Sequence, residues 1–249
     1  MDILDQIIER KKREVQSLKV SYQERENSHA FLKALQQEGL SVIGEIKRKS
    51  PSKGDINLKL DPLALAQTYE KGGVAAFSVL TDYEGFGGTL HDLQIVKKGT
   101  RCPVLRKDFI VDPVQISESI AAGADALLLI VRALGQRTKE FLRLAEKQGI
   151  DALVEIHDEE ELKIAAEAGA KIIGINHRDL RTFHVDLSRS KELIHSLPQD
   201  CIKVAESGVK TIEDARLLYE AGFDAVLIGE ALVTAQDPQT FIEEIHAIR

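Results

Sequence analysis

Residues 121–130 read AAGADALLLI, in which Gly123 separates a helical pattern from the apolar run Ala126–Ile130. A glycine in this position is typical of a helix C-terminus, because it adopts the left-handed conformation without steric cost. The run that follows has no polar alternation, as in a strand that is buried on both faces of a parallel sheet. The stretch therefore predicts a helix that ends at a glycine and leads directly into a buried parallel strand.

The same succession of helix, glycine and apolar strand recurs along the chain. Further copies contain Gly73, Gly149, Gly169 and Gly222, each placed where a helix is expected to end. A short apolar run follows each glycine, as expected of buried parallel strands. Strands are accordingly predicted to begin near Val42, Ala75, Pro103, Ala126, Ala152, Lys171, Ile202 and Ala225.

Eight strand–helix units in 249 residues match a (β/α)8 TIM barrel, which takes about 250 residues. A doubly wound sheet is the structural alternative, but such sheets usually have about six strands. The sequence therefore predicts an α/β protein with a single TIM-barrel domain over residues 1–249. Residues 1–40 do not fit the repeat and are predicted to form an N-terminal helical extension packed on the barrel. Its helices are predicted over Asp2–Leu18 and Ser28–Gln37.

The composition excludes several classes of protein. The net charge of −7 argues against a nucleic-acid-binding or anionic-membrane surface. The apolar run Ala124–Val131 is too short to span a bilayer, and the first residues lack the pattern of a signal peptide. The two cysteines, Cys102 and Cys201, have no metal-binding spacing. These features predict a cytoplasmic protein with reduced thiols and without a cysteine-based metal site.

Charged residues follow the apolar part of nearly every predicted strand. In residues 42–54, VIGEIKRKSPSKG, Glu45 and Lys47 are two apart and therefore point to the same face of the strand. The carboxyl ends of all barrel strands meet at one mouth, where TIM barrels carry their chemistry. The polar residues at these ends are Glu45, Lys47, Ser78, Asp82, Lys107, Asp108, Arg132, Glu155, Asn176, Arg178, Glu206, Ser207 and Glu230.

Each of these residues also has a purely structural interpretation. Lys107 can pair with the adjacent Asp108, and Glu155 can be a solvated strand end. Glu206 can cap the next helix, and Asn176 can be a turn residue. The joint placement of three acids and two lysines at one mouth nevertheless favours a functional site.

Two adjacent loops suggest a phosphate-binding site. Ser207-Gly208 and Gly229-Glu230 follow the seventh and eighth predicted strands. TIM barrels that bind phosphorylated substrates commonly hold the phosphate there, on backbone N–H groups at a helix N-terminus. With Lys47 nearby, these loops predict a small phosphorylated substrate.

Together these segments resemble the indole-3-glycerol-phosphate synthase family. The resemblance covers roughly residues 40–235 in the correct order, and an N-terminal extension is also a family trait. The segments that carry it are residues 45–52, 80–82, 86–88, 105–110, 153–157, 174–176, 178–180, 182–183, 204–208 and 228–232.

The resemblance implies a ring closure in tryptophan biosynthesis. In the substrate, 1-(2-carboxyphenylamino)-1-deoxyribulose 5-phosphate, the ring carbon that bears the carboxylate attacks the ribulose carbonyl. Loss of CO2 and water then gives the indole, without any cofactor. We expect a stand-alone enzyme, because 249 residues leave no room for a fused second barrel, and a loose association with other enzymes of the pathway.

The resemblance further implies a role for each site residue. Lys107 is implied to be the proton donor, Glu155 and Lys47 are the acid–base candidates, and the division of roles among these three stays open. The other implied roles are supporting carboxylates (Glu45, Glu206), a hydroxyl contact (Asn176), an anthranilate contact (Arg178), a further substrate contact (Ser50), ring packing (Phe86, Phe109) and phosphate binding (Lys47, Ser207, Gly208, Gly229, Glu230). Core packing is an equally good interpretation of Phe109.

Three other functions are compatible with such a barrel. A phosphoribosylanthranilate isomerase-type enzyme would usually use a Cys/Asp pair, yet neither cysteine is at the carboxyl end of a predicted strand. A Schiff-base aldolase would use Lys107 to form an imine. A catalytically silent scaffold would be expected to lose its strand-end charges, which this sequence retains.

Overall fold

A computed structural model describes residues 3–22, 26, 28–178, 185–187 and 193–248. Eight parallel strands close into a barrel in which each strand lies beside its neighbours in the chain. They are β1 (Ser41–Ile46), β4 (Ala76–Leu80), β5 (Val104–Lys107), β6 (Ala126–Ile130), β7 (Asp151–Ile156), β8 (Ile172–Asn176), β9 (Ile202–Glu206) and β10 (Ala225–Ile228). The TIM-barrel prediction is confirmed, and every strand begins within one residue of its predicted start.

A small antiparallel ribbon follows β1 and consists of β2 (Lys49–Ser50) and β3 (Gly54–Asp55). Helices cover the outer face of the barrel. After β8 the predicted helix falls largely outside the described residues, and a 3-10 turn at Ile194–Ser196 is described there. The helices that follow the other strands are Pro62–Gly72, Tyr83–Phe86, Leu90–Gly99, Val114–Ala122, Val131–Leu134, Thr138–Gln148, Glu159–Ala168, Ile212–Glu220, Glu230–Thr234 and Pro238–His246, with a 3-10 turn at Gly135–Arg137.

The strand alternation divides the apolar side chains between two cores. Ile43, Leu105, Leu153 and Leu227 fill the barrel interior, whereas their neighbours, such as Val42, pack against the surrounding helices. Side chains two apart on one strand share a face, so residues that follow an interior side chain at even spacing also point into the barrel. This parity determines which charged side chains reach the mouth.

The N-terminal extension contacts both ends of the barrel. Its first helix, Ile3–Val15, reaches the mouth, and its second, Ala30–Ala34, closes the opposite end. The second helix is shorter than predicted at both ends. It ends at Ala34 and begins after His29, whose φ of 52° is outside the right-handed helical region. His29 is held there by Asp151, whose carboxylate lies 2.9 Å from Nδ1 of the imidazole.

Buried ion pairs hold the first helix to the barrel. Nζ of Lys11 lies 2.9 Å from a carboxylate oxygen of Asp82 and 2.9 Å from one of Asp108, and Arg10 contacts Asp82 at 2.8 Å. Burial alone would lower the pKa of Lys11, but the two aspartates raise it overall. Burial alone would raise the pKa of Asp108, but Arg106 and Lys11 hold it below its ordinary value. The helix is therefore attached through charge compensation as well as apolar packing.

Within the described residues, no helix is both long enough and apolar enough to cross a membrane.

Lys11→Met should destabilise the protein substantially, because it leaves Asp82 and Asp108 buried with one fewer cation. Removing one partner of a buried ion pair costs about 3–5 kcal/mol. Lys12→Met is the matched control, since Lys12 is exposed and its ion pair within the described residues is with Glu9, also on the helix surface, where solvent screens the interaction. Urea unfolding of both variants tests the difference. Equal midpoints would contradict the structural role of Lys11.

Candidate active site

A cavity of about 560 Å³ opens at the mouth of the barrel. Ile3, Leu4 and Ile7 of the first helix form part of its wall. All the residues to which the family resemblance assigns a role line it: Glu45, Lys47, Ser50, Phe86, Lys107, Phe109, Glu155, Asn176, Arg178, Glu206, Ser207, Gly208, Gly229 and Glu230. Of the other polar residues at the predicted strand ends, Asp108 lines it, whereas Ser78, Asp82 and Arg132 do not. The structure thus brings together residues that lie as far apart in the chain as Glu45 and Glu230.

Lys107 is at the centre of the charged groups in this cavity. Its ammonium lies 3.1 Å from Oε2 of Glu155 and makes a short contact with Oε2 of Glu206. Both carboxylates are almost completely buried, whereas the Lys107 side chain remains 14% exposed. Lys107 therefore joins two buried carboxylates while one side of the ammonium faces the cavity.

The environment shifts the pKa values of these three groups in different directions. Burial alone would lower the pKa of Lys107, but Glu206, Glu155 and Glu45 raise it, so the ammonium persists at neutral pH. Burial and the nearby carboxylates raise the pKa of Glu206 to about 7, against the influence of Lys107. For Glu155, Lys107 and His157 outweigh burial and lower the pKa. Two carboxylates at one ammonium thus differ in proton affinity, as acid–base sites require.

Two glycines leave the space that these side chains occupy. A Cβ at Gly174 would overlap Oε1 of Glu206, and one at Gly229 would lie 2.8 Å from Nζ of Lys47. Lys47 itself pairs with Glu45 at 2.7 Å. Because Gly174 and Gly229 have no side chains, the backbone lies close to the Lys107–Glu206 and Lys47–Glu45 ion pairs. It thereby limits the directions in which these side chains can point.

The turn after β9 has an unusual backbone. Ser207 has a φ of 64° and Gly208 one of 101°, and the left-handed conformation is costly for a residue other than glycine. Buried His177 stabilises the turn, because its backbone N–H donates to the carbonyl oxygen of Glu206 at 3.0 Å. Its Nδ1 lies 2.9 Å from the same oxygen.

At the start of the helix that follows β10, the Glu230 carboxylate contacts Lys53 at 3.3 Å.

The opposite wall of the cavity is aromatic. The rings of Phe86 and Phe109 lie 6.3 Å apart between centroids and are tilted by 36°. Phe109 also packs against the barrel interior, so both interpretations of this residue are compatible with its position. Arg178 donates to Oγ of Ser52 at 3.3 Å and thereby connects the end of β8 to the ribbon after β1.

Two expectations for charged residues were wrong in detail. The structural alternative for Lys107 was a pair with Asp108, but Asp108 instead contacts Arg106 and Lys11. Arg132 does not line the cavity; its guanidinium contacts Glu161 at 2.9 Å and Asp158 at 3.3 Å. Alternation directs Lys107 and Asp108 to opposite faces of the sheet. Arg132 lies in the helix Val131–Leu134, where the alternation of the strand no longer applies.

Several wall residues were not identified from the sequence, among them Ser52 and the apolar residues of the first helix. An amphipathic helix outside the repeat gives no signal of what its apolar face covers. In the part of the chain that the structure describes, no group of three or more His, Cys, Asp and Glu residues is arranged to hold a metal ion.

Comparison with known proteins agrees with this geometry. A family model described as indole-3-glycerol phosphate synthase matches residues 3–245. The chain belongs to this family. It is 49% identical over 243 residues to the indole-3-glycerol phosphate synthase of Thermoanaerobacter pseudethanolicus, covering 94% of each chain. It is 44% identical over 254 residues to that of Exiguobacterium sibiricum, covering 100% of this chain and 98% of the relative.

The match to the family model therefore includes the N-terminal extension of this chain as well as its barrel. A solved structure, the thiamine phosphate pyrophosphorylase of Pyrococcus furiosus, has a TM-score of 0.63 at 18% identity, covering 84% of this chain and 94% of the other. This likeness concerns the barrel fold alone.

Glu206→Gln should change how stability depends on pH. Because the pKa of Glu206 is raised to about 7 in the folded protein, the folded state binds this proton more tightly than the unfolded state does. Its stabilising effect is present below the ordinary carboxyl pKa and is lost as the pH rises through about 7. Relative to Glu206→Gln, the wild type should therefore lose stability between about pH 5 and about pH 8.

Urea midpoints at both pH values measure the difference. Glu140→Gln, on an exposed helix face, gives the change expected from a surface carboxylate. A wild-type protein that gained stability over this range relative to Glu206→Gln would contradict the assignment.

Proposed function

We propose that this protein is an indole-3-glycerol-phosphate synthase that converts 1-(2-carboxyphenylamino)-1-deoxyribulose 5-phosphate to indole-3-glycerol phosphate, CO2 and water. The main structural support is the Lys107 ammonium, which faces the cavity between Glu155 and Glu206. Membership of the family supports this function over the isomerase alternative. The reaction needs a proton donor at a ketone, and a persistent buried ammonium suits that task.

In the first step, the ring carbon that bears the carboxylate attacks the ribulose carbonyl. Lys107 protonates the carbonyl oxygen as the new carbon–carbon bond forms, so that negative charge does not accumulate there. Glu206 and Glu155 hold the ammonium in place and favour its charged form. The carboxylate then leaves as CO2, and its bonding electrons restore the aromatic ring.

In the second step, the new hydroxyl leaves as water. An acid must protonate the hydroxyl, and a base must remove a proton from the neighbouring carbon. Glu155 and the Lys47–Glu45 pair border the same cavity as Lys107, so both functions are within one site. We assign this step to Lys47, Lys107 and Glu155 together, with Glu45 and Glu206 as supporting carboxylates.

The cavity offers complementary surfaces for the two ends of the substrate. We assign the anthranilate ring to Phe86 and Phe109, whose rings can pack against it. Arg178 can form an ion pair with the carboxylate of this ring, and Ser50 is a further contact. Asn176 can hydrogen-bond a ribulose hydroxyl. We assign the phosphate to Lys47 and to the backbone N–H groups of Ser207, Gly208, Gly229 and Glu230.

In this arrangement Glu230 contributes its backbone, because its carboxylate is directed to Lys53. We also infer a cytoplasmic location from the two free thiols and the acidic charge. A loose association with other enzymes of tryptophan biosynthesis is part of the same proposal.

The position and the pKa of the cysteines count against the isomerase alternative. Cys102 and Cys201 precede β5 and β9, at the end of the barrel opposite the cavity. Burial raises the pKa of each thiol to about 11, so neither is a ready base at neutral pH.

Lys107→Met should lower kcat by about 10²- to 10⁴-fold, the usual contribution of a positioned proton donor. Indole fluorescence after mixing with the carboxyphenylamino-deoxyribulose phosphate measures the rate, and the chain contains no Trp to interfere. Lys98→Met, at an exposed position of the helix Leu90–Gly99, should retain wild-type activity. A folded wild-type protein without activity would contradict the proposed function.

Borohydride treatment during turnover separates the synthase from a Schiff-base aldolase. The synthase mechanism has no imine at Lys107, so the protein mass should be unchanged after reduction. A mass increase that requires Lys107 would favour the aldolase.

A further inference from the structure

His157 contacts the active site from outside the cavity, and no step proposed above uses it. It directly follows β7, is 5% exposed, and does not line the cavity. Its Nε2 faces Oε1 of Glu155 across 3.5 Å. Neither atom has a hydrogen-bond partner among the described residues. A buried ring nitrogen and a buried carboxylate oxygen that face each other in this way need an explanation.

The other ring nitrogen determines which proton His157 carries. Nδ1 lies 3.0 Å from Oε2 of Glu161, and the same oxygen accepts the backbone N–H of His157 at 2.8 Å. Arg132 donates to the other oxygen of Glu161 at 2.9 Å. A carboxylate held in this way accepts a hydrogen bond from Nδ1–H. Nε2, which faces Glu155, is therefore the nitrogen that gains or loses a proton.

The contact between Nε2 and Oε1 is favourable only when it contains one proton. With none, a nitrogen lone pair faces a carboxylate oxygen; with two, an N–H faces an O–H. With one proton, either the imidazolium donates to the carboxylate or the carboxyl group donates to the neutral ring.

We propose that His157 is a positioning residue of the active site, which orients Glu155 and shares one proton with it. The proposal rests on the synthase function and deepens it. In the dehydration step the shared proton moves from Nε2 to Glu155, which delivers it to the departing hydroxyl, and the imidazolium becomes a neutral imidazole. The proton that the substrate carbon loses in the same step returns to the pair, so the dehydration itself consumes no external acid.

The charges around His157 agree with a shared proton. Burial alone would lower its pKa, and Arg132 acts in the same direction, but Glu161 and Glu155 raise the pKa overall. Glu155 in turn faces Lys107 and Asn176, and its pKa is lowered. The shifts favour imidazolium and carboxylate in the resting protein.

The first test is independent of turnover. NMR titration of the His157 ring, assigned by its loss in His157→Asn, should give a midpoint above the ordinary histidine value of about 6.5. In Glu155→Gln the midpoint should be lower, because the facing carboxylate is gone. The same midpoint in both proteins would overturn the proposal, whether or not the protein is a synthase.

The second test separates orientation from proton sharing. The Asn side chain of His157→Asn can reach Glu161 but not Glu155. This variant should lower kcat by roughly 10- to 100-fold, the usual effect of losing a residue that orients a functional group. Its KM should change little. His157→Gln can still donate to Glu155, so it should restore part of kcat. It lacks the titrating charge, so the pH–rate limb of Glu155 should move to higher pH.

His195→Gln, at an exposed position, is the control and should match the wild type. A merely structural His157 would give variants with lower melting temperatures but an unchanged kcat and pH profile, and that result would overturn the proposal. If the wild type has no synthase activity, the proposed function fails, whereas the titration still decides whether His157 and Glu155 share a proton.

Discussion

The site depends on the electrostatic contact between one ammonium and several buried carboxylates. Glu155 and Glu206 are almost fully removed from water, and Lys107 compensates their charge. Buried charges are costly unless they are paired in good geometry. The barrel supplies that geometry, because it aims one side chain from each of three strands, β5, β7 and β9, at a single point.

The rest of the molecule keeps this cluster rigid and partly shielded from solvent. Gly174 leaves room for Glu206, and Glu45 and Lys47 form a second ion pair at the edge of the same cavity. The first helix covers part of the mouth and is held by Lys11, which lies between two aspartates. Partial exclusion of water strengthens each of these interactions. The N-terminal extension therefore contributes to the electrostatics of the site as well as to the stability of the fold.

The elements that local sequence determines were predicted accurately. Each strand start was correct to within one residue, because a glycine and an apolar run are local signals. The second helix starts later than the sequence predicts, where a distant residue, Asp151, contacts His29 in a conformation outside the right-handed helical region.

The residues of the cavity could be predicted because barrel topology brings every strand end to one mouth. The partner of each charge could not be predicted in the same way. Lys107 contacts Glu155 and Glu206 rather than its neighbour Asp108, and Lys11 reaches residues more than seventy positions away. From the sequence, His157 is only one residue of the resembling segment 153–157, because its contact with Glu155 depends on how Glu161 orients the ring.

The most direct test of this account is the charge state of Lys107 in the free protein. The ¹⁵N chemical shift of its Nζ reports the charge directly. It is measured by NMR from about pH 6 to about pH 10 and is assigned by the absence of the signal in Lys107→Met. The account predicts an ammonium signal that does not titrate over this range, because Glu155 and Glu206 stabilise the charged form. A midpoint below the ordinary lysine value of about 10.4 would show that burial prevails over the carboxylates, and it would contradict the central role of this cluster.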